Sequence, residues 1–342
     1  MAVTLLVQEL DSGVTRVFER IEDLVEARPD TRVWLDVWSE DPEVMARVAA
    51  HFGLHELTVE DCLTPGHAPK LEDFGTHLFL VLRSMKSFQE LESLWAERQG
   101  EDEDGAERHE EEHFTRKVAL YLSDRFIITY RRGEVSWLDA LVRKASQAPE
   151  QLLAAGTDTV AHRVIDVLTD RFIRGLGFFE RVLEEEEHTA LEAPDRFSMS
   201  ELLELKRELM VLKQIARVQR TVTAKLAGDP SLIIRKQQRR YFKDIDDHAL
   251  DVINMIEKEV DTLHGIRDAY FTHANVRLGD TMRILAVITT LVAPLNVLVG
   301  VYGMNFDAMP LLHDRNGFWI VLVFLLGITV LMLLYFRRKR WL

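Results

Sequence analysis

Two long apolar runs close this chain: residues 284–302 hold no charged side chain, and neither do residues 317–336. At about 1.5 Å per residue each would form a helix about 30 Å long, the thickness of a hydrocarbon layer, so both are predicted to span a membrane. A buried hairpin of a soluble protein is the competing reading, and two such runs at one end of the chain weigh against it. Earlier in the chain the alternation is shorter. Residues 33–38 predict a strand, 41–52 a helix, 77–84 a buried strand, and 118–130 two strands about the turn at Ser123 and Asp124. Beyond Glu134 the pattern turns helical, with Leu202, Leu205, Leu209 and Leu212 recurring on one face. Breaks are expected at residues 192–195 and 228–230, where Pro194 and Pro230 stop a helix. From about Ser231 to Tyr302 only Gly265, Gly279, Pro294 and Gly300 interrupt, so one helix approaching about 100 Å is predicted.

The expected organisation is an α+β membrane protein. It has an α/β domain at 1–133, a helical bundle and stalk at 134–281 and a first span at 282–302. A connecting loop at 303–316, a second span at 317–336 and a basic tail at 337–342 complete it. Charge sharpens the division: the chain carries −14, but from Thr281 onward six basic residues face two acidic ones, a tail of +4 that leaves −18 on residues 1–280. Such a domain repels nucleic acid and attracts cations. The single cysteine, Cys62, excludes an internal disulfide and fits a reducing compartment. The N-terminus lacks the basic start of a signal peptide. Basic residues flank the apolar pair, Arg277 and Arg283 before it and the cluster from Arg337 to Arg340 after it. They predict that both termini are cytoplasmic in a plasma or inner membrane, leaving only the loop at 303–316 outside.

The two spans differ. The second is almost wholly aliphatic and aromatic, whereas the first carries Thr289, Thr290, Pro294, Asn296 and Gly300, which lipid would penalise. Helical steps back from Asn305 give Gly300, Asn296, Ala293, Thr289, Leu285 and Met282, and further back Asp268, a candidate pore-facing stripe. Packing against another helix is the alternative use of Asn296 and the threonines. Two helices cannot enclose a pore, so conduction requires several copies about an axis. At the outer end, Tyr302-Gly303-Met304-Asn305-Phe306 sets a polar amide and a flexible glycine where helix meets water, suited to offering oxygens to a hydrated cation.

These residues resemble the CorA-type magnesium channels. The likeness rests on the Gly303-Met304-Asn305 motif between two terminal spans, preceded by Ala293-Pro294-Leu295, and on the final Arg-Arg-Lys-Arg-Trp-Leu. Upstream, His55-Glu56-Leu57-Thr58-Val59-Glu60-Asp61-Cys62, Pro69-Lys70-Leu71-Glu72-Asp73 and Tyr241-Phe242-Lys243-Asp244-Ile245-Asp246-Asp247-His248 are similar to the family's segments. The resemblance implies a funnel-shaped homopentamer conducting Mg²⁺, with Co²⁺ and Ni²⁺ as further substrates, and no catalytic cofactor. It implies Gly303, Met304 and Asn305 as the selectivity filter and Met282 and Leu285 as an apolar gate. Cytosolic Mg²⁺ would act as a regulatory ligand at Asp244, with Asp247, His248 and Asp166 as further candidates, and Asp268 as an acidic ring at the inner exit. A filter that bonds the hydration shell suits an ion that gives up water reluctantly. Three departures stand out: Leu311 replaces an acidic residue in the loop, Asn296 replaces a threonine, and Gly279 replaces an asparagine.

Three rival readings remain. A related branch carries zinc, with possible proton coupling, and usually has isoleucine at the position of Met304. A non-transporting membrane anchor or sensor is another. His109-Glu110-Glu111-Glu112-His113 fits the H-E-x-x-H zinc protease pattern, but it sits in an acidic run with no apolar helix face, so the chain is not expected to be an enzyme. The run at residues 184–187 is expected to be a solvated helix face.

Overall fold

The structure, a computed structural model, describes residues 2–99, 114–148, 152–230, 232–304, 309–311, 314–339 and 341. The described residues fall into two compact units, one of residues 1–189 and 195–265, the other of 190–194 and 266–342.

The first unit is built on a seven-stranded sheet. Its strands are β1 (Ala2–Glu9), β2 (Thr15–Phe18), β3 (Thr31–Trp38), β4 (Lys70–Asp73), β5 (Leu78–Met85), β6 (Thr115–Leu122) and β7 (Phe126–Arg131). They lie in the order β2-β1-β3-β7-β6-β5-β4, with β3 and β7 parallel and every other neighbour antiparallel. One face buries Leu5, Val33, Leu35, Val81, Tyr121 and Ile128 against α1 (Pro42–Phe52) and α2 (Glu56–Leu63). Asp41 caps α1, accepting from the Glu43 amide at 2.9 Å, and Gly53 closes it in the left-handed conformation that a glycine adopts without strain. The other face is covered as well, since every residue of β5 is buried. A strand buried on both faces reads as an unbroken apolar run rather than an alternation.

Cys62 lies in this core. The Tyr121 hydroxyl donates to Thr58 Oγ1 at 3.0 Å and lies 3.4 Å from Cys62 Sγ, and burial pushes the thiol up to about 12. The cysteine is therefore a packed core residue rather than a reactive one.

Helices α3 (Phe88–Gln99), α4 (Ser136–Gln147), α5 (Thr157–Glu192) and α6 (Met199–Gly228) follow, then α7 (Arg239–Tyr302) of 64 residues. The expected breaks near 192–195 and 228–230 are present, and the long helix starts at Arg239 rather than near Ser231. Leu202, Leu205, Leu209 and Leu212 form the buried stripe of α6. The second unit holds the remainder of α7 and α8 (Gly317–Arg338), and each contains a stretch long and apolar enough to cross a membrane. The compact division at Gly265 and Ile266 falls inside the predicted stalk.

One expectation needs correction. Glu184, Glu185 and Glu187 are exposed, but Glu186 is half-buried, and burial, then Glu201 and Glu185, push its carboxyl up to about 7. Between the ordinary carboxylate value and about 7 the native state keeps a proton that the unfolded chain has released, so stability falls as pH rises through that window. Glu186→Gln should raise the melting temperature at about pH 8 by the equivalent of roughly 1 kcal/mol, after solvent screening, and leave it unchanged at about pH 4. Equal shifts at both pH values would contradict this assignment.

Candidate ion path and cation sites

Met282, Leu285, Thr289, Ala293, Asn296 and Gly300 all lie on α7, spaced three or four residues apart, and all are exposed. They form the continuous stripe that helical geometry requires. Met282 and Leu285 expose 63% and 62% of their surface, unusual for large apolar groups outside lipid or a further subunit. Thr289 returns its hydroxyl to the Leu285 carbonyl at 2.8 Å, which satisfies the donor within the helix. Asn296 makes no side-chain hydrogen bond among the described residues and is exposed. An amide in that state is costly against hydrocarbon.

Asp268 is exposed, but Arg267 donates to its Oδ1 from Nε at 3.0 Å and from Nη2 at 2.9 Å. Any acidic ring it forms is therefore partly neutralised by its own neighbour.

At its C-terminal end α7 closes through Gly303 N–H to the Val299 carbonyl at 2.9 Å and Met304 N–H to the Val301 carbonyl at 3.2 Å. The remaining carbonyls of the last turn give this end a negative character that favours cations. Asn305, with Phe306 and Asp307, lies outside the described residues, as does the segment from Glu101 to His113 that holds the H-E-x-x-H match. In the loop, Leu311 adopts a left-handed backbone with φ 68°, and its carbonyl occupies the place where a Cβ on residue 317 would stand. Gly317 is thus required sterically at the start of α8.

The regulatory candidates divide. Asp166 of α5 and His248 of α7 come together with Asp170, their ligand atoms within 4.8 Å of one another and all half-buried. Arg163 Nη1 donates to Asp166 Oδ2 at 2.8 Å, so Asp166 is already partly balanced. Asp244 and Asp247 are exposed on α7 and do not join this group. Asp170 was not singled out from the sequence, although it lies one helical turn beyond Asp166, the spacing at which two carboxylates share a face. Two carboxylates and an imidazole suit Zn²⁺, Co²⁺ or Ni²⁺ more than Mg²⁺, which prefers oxygen ligands alone.

Comparison with known proteins places these features in a family. The cobalt/magnesium transport protein CorA of Thermotoga maritima is 27% identical over 91% of this chain and 84% of its own length. The complete structure of the CorA magnesium transporter from Methanocaldococcus jannaschii superposes with a TM-score of 0.81 at 21% identity, covering 100% of this chain and 99% of that one. The ZntB cytoplasmic domain from Vibrio parahaemolyticus matches less well, with a TM-score of 0.58 at 11% identity over 80% of this chain and 99% of its own. Residues 30–338 match the family described as CorA-like Mg²⁺ transporter protein, and the chain, with its two transmembrane helices, belongs to that family.

Proposed function

We propose that this chain is the subunit of a homopentameric channel that admits Mg²⁺, and also Co²⁺ and Ni²⁺, through an axis lined by α7. The observation that carries the reading is Asn296, an exposed and unpartnered amide in the middle of an apolar helix, on the same stripe as Thr289 and Gly300. Lipid on that face would leave the amide unsatisfied, whereas a shared aqueous axis satisfies it in every copy. The names of the relatives, cobalt/magnesium and magnesium transport proteins, supply the ion class. Gly303, Met304 and Asn305 then form the outer filter. Met282 and Leu285 form an apolar constriction that closes by dewetting.

Both termini face the cytoplasm, as the basic flanks dictate, and a potential negative inside drives entry. Cytosolic Mg²⁺ closes the channel by neutralising acidic faces around Asp166, Asp244, Asp247 and His248. Its loss lets like charges separate the subunits.

A zinc carrier is the second reading, because the Asp166, Asp170 and His248 donor set points toward a softer ion. Met304 stands against it. Reconstituted full-length protein given equal inward gradients of Mg²⁺ and Zn²⁺ should pass Mg²⁺ the faster. Zinc flux without magnesium flux would sink the proposal.

A further inference from the structure

Residues 1–280 carry −18, yet the first unit holds a strongly basic cleft. A cavity of about 400 Å³ has Arg83, Lys86, Arg116, Lys117 and Arg132 as its cationic lining, against Glu40 and Glu134. A second cavity of about 320 Å³ shares Lys86, Arg116 and Glu134 with it and adds Arg171, Trp137 and Glu90. Arg116 Nη2 already holds Glu90 at 2.7 Å, which takes one carboxylate out of the balance. Among the described residues, six basic side chains against three acidic ones give the linings of the two cavities together a net +3.

Several of these cations are held at a cost. Arg83 of β5 and Lys117 of β6 stand directly opposite each other in the strand register, a like-charge pairing that weakens a sheet. Arg83, Lys117 and Arg171 have no carboxylate partner among the described residues. Arg83 donates to Thr115 Oγ1 at 2.8 Å and to the His67 carbonyl at 3.3 Å. Lys117 Nζ donates to the Asp61 and Cys62 carbonyls at 2.6 and 2.8 Å and also to that of Thr64. Every one of those acceptors is neutral. Burial pulls the Lys117 ammonium down to about 8 and lowers Arg83 and Arg171 as well. Arg171 forms no hydrogen bond or ion pair among the described residues.

The same cleft is bordered by the start of α4. Val135 at its N-cap supplies no side-chain hydrogen bond, so the positive end of the helix is uncapped where Glu134, Val135 and Ser136 line the cavity. Trp137, only 8% exposed, lines it too, and its indole N–H has no acceptor among the described residues. Among the described residues, the Arg83, Lys117 and Arg171 cations without a carboxylate, an uncapped helix start and a buried donor without an acceptor all lack the same complement, a multiply charged anion.

We propose that this cleft binds a phosphate-bearing small anion of nucleotide size through its phosphates. Cavities of about 400 and 320 Å³ that share Lys86, Arg116 and Glu134 are of the size that takes such a ligand, and planar guanidinium groups pair phosphate oxygens two at a time. Its net positive charge favours a metal-free polyphosphate over the same molecule chelated by Mg²⁺, which carries two fewer negative charges. The cleft would therefore respond to the cell's unchelated phosphates, independently of whether the channel reading holds.

Calorimetric titration of the full-length protein in detergent, with ATP or pyrophosphate in EDTA, tests this. Saturable binding tighter than millimolar, weakening with added salt and about tenfold weaker for Mg²⁺-ATP, is expected. Arg171→Gln should weaken it about tenfold, the loss of one charge-assisted hydrogen-bonding group, with the melting temperature unchanged. Absence of saturable binding for both ligands, or binding that ignores this substitution, overturns the assignment.

Discussion

Asn305→Ala should abolish Mg²⁺ uptake into proteoliposomes while the protein still assembles and inserts. The amide oxygen is the only strong side-chain acceptor in the motif beside Gly303 and Met304, so alanine removes the group that would hold the ion's hydration shell. A hydrogen bond to a charged partner contributes about 1.5–3 kcal/mol. In a ring the loss recurs once in every subunit, which puts the expected fall in flux beyond about 100-fold. Size-exclusion chromatography in detergent separates this from misassembly. If the variant assembles and conducts like the parent, Asn305 is not the entry ring. The closing turn of α7 is held by backbone hydrogen bonds from the amides of Gly303 and Met304 to the carbonyls of Val299 and Val301, which the substitution leaves in place.

The parts of the fold that were legible in the sequence are those where one physical constraint dominates. The membrane helices were visible because lipid excludes charge over a full span, and β5 because burial on both faces makes its first five residues, Leu78 to Leu82, all apolar. The stripe from Met282 to Gly300 was visible because helical spacing alone places it on one face. Strand β1 was missed for the reason that made β5 easy to find: Leu5, Leu6 and Val7 are all buried, so no alternation marks it, and the run is short. Strand β4 is polar, Lys-Leu-Glu-Asp at the sheet edge, and carries no apolar signal. The Asp166–Asp170 spacing was there to be read, but the third member of that group, His248, and the partners in the basic cleft are far apart in sequence. Arg83, Lys117 and Arg132 meet only because β5, β6 and β7 are neighbours in the sheet, and nothing in local periodicity encodes that order.

Arg131→Ala should be the most damaging single change in the α/β layer. Arg131 ends β7, is 2% exposed, and its Nη2 reaches Asp36 Oδ2 at 2.8 Å and Asp139 Oδ1 at 2.5 Å, while Nη1 donates to the Val135 carbonyl at 3.2 Å. Asp36 on β3 is also buried and accepts from Thr129 Oγ1 at 2.6 Å. The guanidinium therefore joins the parallel β3–β7 pair to the start of α4, the same helix end that borders the basic cleft. Burial already raises the Asp36 carboxyl above its ordinary value despite Arg131. Without the cation it would have to stay protonated or unfold the layer, and removing one partner of a buried pair costs about 3–5 kcal/mol. Because a raised carboxyl is stabilised only in its protonated form, the deficit should grow as pH rises above the ordinary carboxylate range. The melting temperature of the full-length variant should thus fall further at about pH 8 than at about pH 5. Adding Asp36→Asn should restore part of the loss, since it removes the stranded charge. If the double variant is no more stable than Arg131→Ala alone, the cost lies in lost packing rather than in the buried carboxylate.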